Sequence, residues 1–124
     1  MTDATAPPKP YAFLLLPGFS TLGFSCAIDA LSLANHHPSQ RQFYRWRLIS
    51  ETGESVMAYN GVRISVDNAL TPLDRGETLI VCAGENAGTS HSRSLLSWLR
   101  REARRGNDLG ALSSGTYILA LAGL

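Results

Sequence analysis

Tyr11-Ala12-Phe13-Leu14-Leu15-Leu16, closed by Pro17-Gly18, is a continuous apolar run with no polar alternation. A strand wetted on one face alternates and a strand covered on both faces does not, so this run reads as a buried strand of a parallel sheet. The next segment changes period. Leu22, Ile28 and Leu31 recur at helical spacing, which predicts a helix over 22–35 with Thr21 as its N-cap and His36-His37-Pro38 as its stop. Strand followed by helix is half of a βαβ unit.

The same alternation returns downstream. Phe43 to Ser50 alternates apolar and polar residues as a second strand does, with Glu51 to Glu54 as a turn. Val56 to Tyr59 and Val62 to Val66 flank Asn60-Gly61, which predicts a hairpin with a type I′ turn interrupting the α/β order. Thr78 to Ala83 is another continuous apolar strand, running into Gly84 and a loop to Ser90. Ser92 to Arg105 sets Leu95, Leu96, Trp98, Leu99 and Ala103 on one side and arginines on the other, an amphipathic helix ended by Gly106-Asn107. Leu109 to Leu112 reads as a short central strand, and Ser113-Ser114-Gly115 turns it into a helix beginning near Thr116. This order predicts an α/β fold in three layers around a mainly parallel sheet. A helix after a central strand ordinarily leads to further strands, so the domain is expected to be incomplete in this chain.

Composition bounds the rest. In 124 residues with 44% apolar and 17% charged side chains there is material for one core and no sign of disorder. Lys+Arg number 11 against Asp+Glu 10, a net charge of +1, which lacks the excess that by itself drives binding to nucleic-acid phosphates. Any DNA contact is expected from another segment. Arg100, Arg101, Arg104 and Arg105 read as a solvated helix face. The run Tyr11–Leu16 is far short of the roughly 20 residues of a membrane span, and nothing here looks like a signal peptide. Cys26 and Cys82 are not needed as a staple, so a reduced, cytoplasmic protein is expected. Met1 to Pro10, with Pro7, Pro8 and Pro10, reads as a flexible leader before a domain over 11–124. No histidine or cysteine spacing resembles a metal site, and neither a dinucleotide motif nor a P-loop occurs, so no cofactor is expected.

Chemistry has two candidate places. Ala111-Leu112-Ser113-Ser114-Gly115 is a small-x-Ser-x-small arrangement between a strand and a helix, the pattern of a nucleophile elbow, whose flanking positions must be small because the backbone folds back on them. The N–H groups of the following turn suit a carboxylate or an oxyanion. A Ser-Ser-Gly turn that only caps a helix fits the same residues. A serine nucleophile needs a base and an orienting carboxylate, and no residue after Ser113 is His, Asp or Glu. His91 lies in a loop that leads toward this edge, and a solvated histidine is the plainer reading. The second place is Val81 to Asn86, where backbone N–H groups of Ala83 and Gly84 are expected to face Ser113 and Glu85 is either a partner for a cationic ligand group or an exposed loop carboxylate. Cys82 reads as a small buried apolar residue.

The chain resembles the amidotransferase-like superfamily of the PfpI and ThiJ proteins and, more narrowly, the N-terminal sensor domain of GlxA-type, AraC-family transcriptional regulators. The residues that carry the resemblance are Phe13 to Phe19, Ile28 to Leu31 with Ala34-Asn35, Leu79 to Gly84, and Gly110 to Gly115 with Leu119 to Leu124. It implies a flavodoxin-like, class I glutamine amidotransferase-like fold, a helix-turn-helix DNA-binding domain beyond this chain, a homodimer, and a small nitrogen-containing effector such as an amino acid or betaine. In enzymatic members the elbow holds a cysteine with an acidic residue beside it. The matching positions here are Ser113 and Gly23, which implies that the chain is not an enzyme. The ligand-binding set that follows is Ser113, Ser114, Gly115, Ala83, Gly84, Glu85 and Gly23. The alternative is a PfpI/ThiJ-type hydrolase or amidotransferase-like enzyme using Ser113. The helix with Trp98 and the arginines is a candidate dimer surface.

Overall fold

The structure, a computed structural model, describes residues 6–39, 41–89 and 91–124. Strand β1 (Lys9–Leu15), helix α1 (Thr21–Asn35), strand β2 (Tyr44–Ile49), the two-residue strands β3 (Val56–Met57) and β4 (Arg63–Ile64), strand β5 (Thr78–Cys82), helix α2 (Arg93–Arg104), strand β6 (Leu109–Leu112) and helix α3 (Gly115–Leu121) follow in order. The main sheet has the order β2-β1-β5-β6 and every pairing in it is parallel. The three expected layers are present. Ala12, Leu14 and Leu16 face α2 and α3 in one cluster with Val81, Leu95, Leu99 and Ile118, while Phe13 and Leu15 face Phe19, Phe24 and the hairpin in another. A strand whose odd and even residues both enter a core has no polar face to show, which is why β1 lacks alternation.

Several local expectations change. β1 starts at Lys9, two residues inside the expected leader. Proline is accepted at position 10 because the Lys9 N–H bonds Phe43 O on the β2 side, so the Pro10 nitrogen faces the β5 side, where pairing begins only at Tyr11. Met1 to Thr5 and Ser90 lie outside the described residues. The cap of α1 is Ser20, not Thr21, and its side chain makes no capping bond. Thr21 instead accepts a hydrogen bond from Asn60 of the hairpin (3.0 Å). The hairpin exists, with a different turn. Ser113 is the sole described non-glycine residue with positive φ, so Asn60 cannot be in a type I′ turn. The Gly61 N–H reaches Ala58 O (3.0 Å), the Ala58 N–H reaches Val62 O (2.8 Å), and Gly61 has φ +89°. These bonds describe a type I turn followed by a left-handed glycine, which also preserves strand twist.

β6 pairs in parallel with β5 and is the last strand in the order of the described sheet. α2 is capped by Ser92, whose side chain accepts the Leu95 N–H, and ends at Gly106 (φ +90°) with Asn107 N–H bonded to Glu102 O, a Schellman closure. The indole of Trp98 is 5% exposed and donates to Thr71 O, so it belongs to the core, and the exposed face of α2 is formed by its arginines.

Candidate functional site

In a doubly wound sheet the crevice opens where one strand sends its chain to one side and its neighbour sends its chain to the other. β1 leads through α1 to β2 and β5 leads through α2 to β6, with the two helices on opposite faces. The loops leaving β1 and β5 must therefore diverge. A cavity of about 400 Å³ opens there, lined by Pro17 and Gly18 after β1, Glu85 and Asn86 after β5, and Met57, Ala58 and Tyr59 of the hairpin.

Local backbone chemistry builds this cradle. Leu16 to Phe19 is a type II turn, with Pro17 at its second position, Gly18 at φ +83° and the Phe19 N–H on Leu16 O (3.0 Å). The hairpin docks on that turn by two main-chain bonds, Gly18 N–H to Met57 O (2.8 Å) and Tyr59 N–H to Phe19 O (2.9 Å). The two loops interlock through glycine. A Cβ on Gly84 would lie 2.1 Å from Gly18 O, and one on Gly18 would lie 1.9 Å from Asn86 Oδ1. No side chain fits at either position without moving backbone or Asn86.

The elbow has its expected shape. Ser113 has φ 53°, a strained value for a residue with a Cβ, and is exposed at the end of β6. A Cβ on Gly115 would meet Val81 O at 2.1 Å and Ala111 Cβ at 3.2 Å, which is the steric demand read from the small flanking residues. Gly23 does approach this place, since a Cβ there would come within 4.0 Å of Leu112 Cβ. Gly84, however, packs against the β1–α1 turn, and Ala83 O accepts the Ser20 N–H. Of the residues singled out in the sequence, Glu85 lines the cavity, and Ser113, Ser114, Gly115, Ala83, Gly84 and Gly23 do not. Asn86, at the end of the second candidate stretch, also lines it, and Met57 and Tyr59 are cavity residues that the sequence reading missed. The signal available was the hairpin itself, whose docking position no local pattern encodes.

The charges near the cavity are few. Glu85 is its one charged lining residue. Cys82, immediately below, is buried, and desolvation pushes its thiol up to about 12, so it stays protonated and apolar at neutral pH. His91 Nδ1 lies 3.3 Å from Ala87 O, a loop contact rather than a contact with Ser113. Ser92 donates to the Glu51 carboxylate as well as capping α2. Among the described residues no group of three or more His, Cys, Asp or Glu is placed to hold a metal ion.

No family model matches the chain. It is similar to the HTH-type transcriptional regulator CdhR of Pseudomonas aeruginosa, 42% identical over 112 residues that make up 90% of this chain and 33% of CdhR. GbdR of Pseudomonas aeruginosa is 35% identical over 94% of this chain and 32% of its own, and GlxA of Rhizobium meliloti is 31% identical over 90% and 35%. The chain thus spans about a third of the length of these curated relatives. Among solved structures, an AraC family transcriptional regulator from Pseudomonas putida superposes with a TM-score of 0.82 at 26% identity, covering 94% of this chain and 71% of that one. A ThiJ/PfpI family protein from Pseudomonas syringae gives 0.70 at 15% identity, over 95% and 47%. The fold is that of the ThiJ/PfpI proteins, a flavodoxin-like parallel sheet between helices. Within that class the chain is a homologue of the AraC-family, HTH-type transcriptional regulators.

Proposed function

We propose that this chain is the ligand-sensing part of a bacterial transcriptional regulator. It binds a small nitrogen-containing metabolite at the carboxyl edge of its sheet, and a helix-turn-helix segment elsewhere in a longer, homodimeric, cytoplasmic polypeptide contacts DNA. The observation that carries this reading is the 42% identity to a regulator across 90% of the chain. The switch-point cavity supports it: its lining carries one carboxylate, Glu85, the aromatic ring of Tyr59 and no cationic side chain, which suits a neutral or cationic ligand group. N–H groups around Ser114 at the elbow are the expected partners of the ligand's carboxylate, with Gly23, Ala83 and Gly84 shaping the floor between the two places. The enzyme alternative has less support, because the matched curated relatives are regulators, and the resemblance aligns Ser113 and Gly23 with the cysteine and acid of the enzymatic branches.

Regulation requires the ligand to bind two arrangements of the dimer with different affinity. The test is a thermal-shift screen of the whole polypeptide against amino acids and betaines, followed by titration of any hit. Glu85→Gln removes a charge-assisted contact and is expected to weaken a cationic ligand by about tenfold. Ser113→Trp blocks the elbow, and unchanged binding of every hit in that variant would remove the elbow from the site. Ser113→Ala separates the two classes of function, since a hydrolase loses turnover and a sensor keeps its fold and alters only its ligand response.

A further inference from the structure

The chain is almost neutral overall, yet its charges are segregated. On α2, Arg93, Arg100, Arg101 and Arg104 are exposed, and the one carboxylate of the helix, Glu102, is 0% exposed and turned into the core. Glu102 Oε1 accepts the Leu73 N–H (2.7 Å) and a bond from Arg105 (2.6 Å), so it neutralises Arg105 and none of the other four. Arg93, Arg100 and Arg104 stand seven and four residues apart, spacings of about 10 and 6 Å along the axis that keep them on one stripe, with Arg101 beside it. Leu95, Trp98 and Leu99 occupy the opposite side, buried. Among the described residues Arg93, Arg101 and Arg104 have no ion-pair partner, whereas Arg45, Arg47 and Arg105 each have one. Guanidinium groups hold phosphate through paired donors, and here every cation of the stripe is arginine.

We infer that the outer face of α2 is an accessory contact for the phosphate backbone of duplex DNA. It adds sequence-independent affinity next to the segment that reads bases, and the inference rests on the regulator reading above. The helix C-terminus favours Arg101 and Arg104 by its dipole, which accounts for two cations in the last turn and leaves Arg93, at the other end, to be explained by a partner.

The test uses the whole polypeptide and a 30-base-pair duplex of arbitrary sequence, with dissociation constants measured from 50 to 200 mM salt. Arg93→Gln/Arg101→Gln/Arg104→Gln leaves out Arg100, whose Nε donates to Ala122 O and closes α3. If the three arginines each neutralise a phosphate, wild-type affinity falls about fortyfold more than the variant's across that range. Lys9→Gln/Arg45→Gln/Arg63→Gln removes the same net charge from exposed positions elsewhere and is expected to keep the wild-type dependence. Equal effects of the two triple variants, or no effect of the α2 variant, overturn the inference while duplex binding itself upholds the regulator reading. Absence of duplex binding by the wild-type polypeptide overturns both. Poly-glutamate that displaces the duplex from wild type at matched charge, and not from the α2 variant, identifies an acidic protein partner and likewise overturns it.

Discussion

The two edges of the parallel sheet are built from different materials. At the amino edge one carboxylate is buried and satisfied: Glu77, 1% exposed, takes two bonds from the half-buried Arg47 (2.8 and 2.9 Å) and one from the Asp74 N–H, while Asn107 donates to Asp74 O and Glu77 O. At the carboxyl edge the loops around the cavity are tied by main-chain bonds and glycine contacts, and the one charge in the cavity lining, Glu85, is exposed. A buried carboxylate held in an ion pair fixes loops in one place and leaves nothing free to meet a ligand. Backbone interlocks shape a cavity and leave its side chains available. The difference teaches where adaptable chemistry is to be sought in this fold.

The comparison is open to direct attack. The largest effect is expected from Glu77→Ala, which strands Arg47 and the Asp74 N–H and should cost about 3 kcal/mol in urea denaturation. Glu85→Ala, on the other edge, should stay within about 0.5 kcal/mol, and equal losses would erase the distinction drawn here. Next comes Gly84→Ala, whose Cβ must displace Gly18 O and should cost about 2 kcal/mol. A neutral result would mean that the two loops are not interlocked.

Acid offers a gentler probe. Burial alone would raise the Glu77 carboxyl, but hydrogen bonds from Arg47 and the Asp74 N–H, with the charges of Arg47 and Arg45, hold it below its ordinary 4.5. A carboxylate lowered on folding stabilises the native state above its unfolded pKa and loses that contribution as pH falls through the folded one. Stability should therefore drop as pH goes below about 4.5, and Glu77→Gln should flatten the drop, as read by denaturation midpoints across the acid range. The smallest effect is expected at the elbow. Ser113→Gly relieves a left-handed residue at some cost in chain entropy and should raise stability by about 0.5 kcal/mol. A loss on that substitution would show that the Ser113 side chain holds the turn together.

Much of this architecture is legible in the residues, and the exceptions share a cause. Apolar runs, helical periods and the demand for small residues around Ser113 are properties of neighbours in the chain, so β1, β5, α2 and the elbow stand where their patterns put them. Asn35 looks like an ordinary helix end. In the fold its side chain donates to Tyr44 O and accepts the N–H groups of Phe43 and Tyr44, stapling α1 to β2. Glu102 looks like one more charge on a charged helix and is buried against a loop 29 residues away. Trp98, a plausible interface residue by type, fills the core.

By itself, then, the sequence determined the order and kind of the elements and the identity of the elbow, because each of these is written in adjacent residues. Only the tertiary structure decided that β1 lies between β2 and β5, that the hairpin roofs the gap where the β1 and β5 loops part, and that Glu77 is buried at the amino edge while α2 presents an exposed arginine stripe. Strand order and loop docking are set by contacts between residues tens of positions apart, each worth little alone. Their sum is not encoded in any local period.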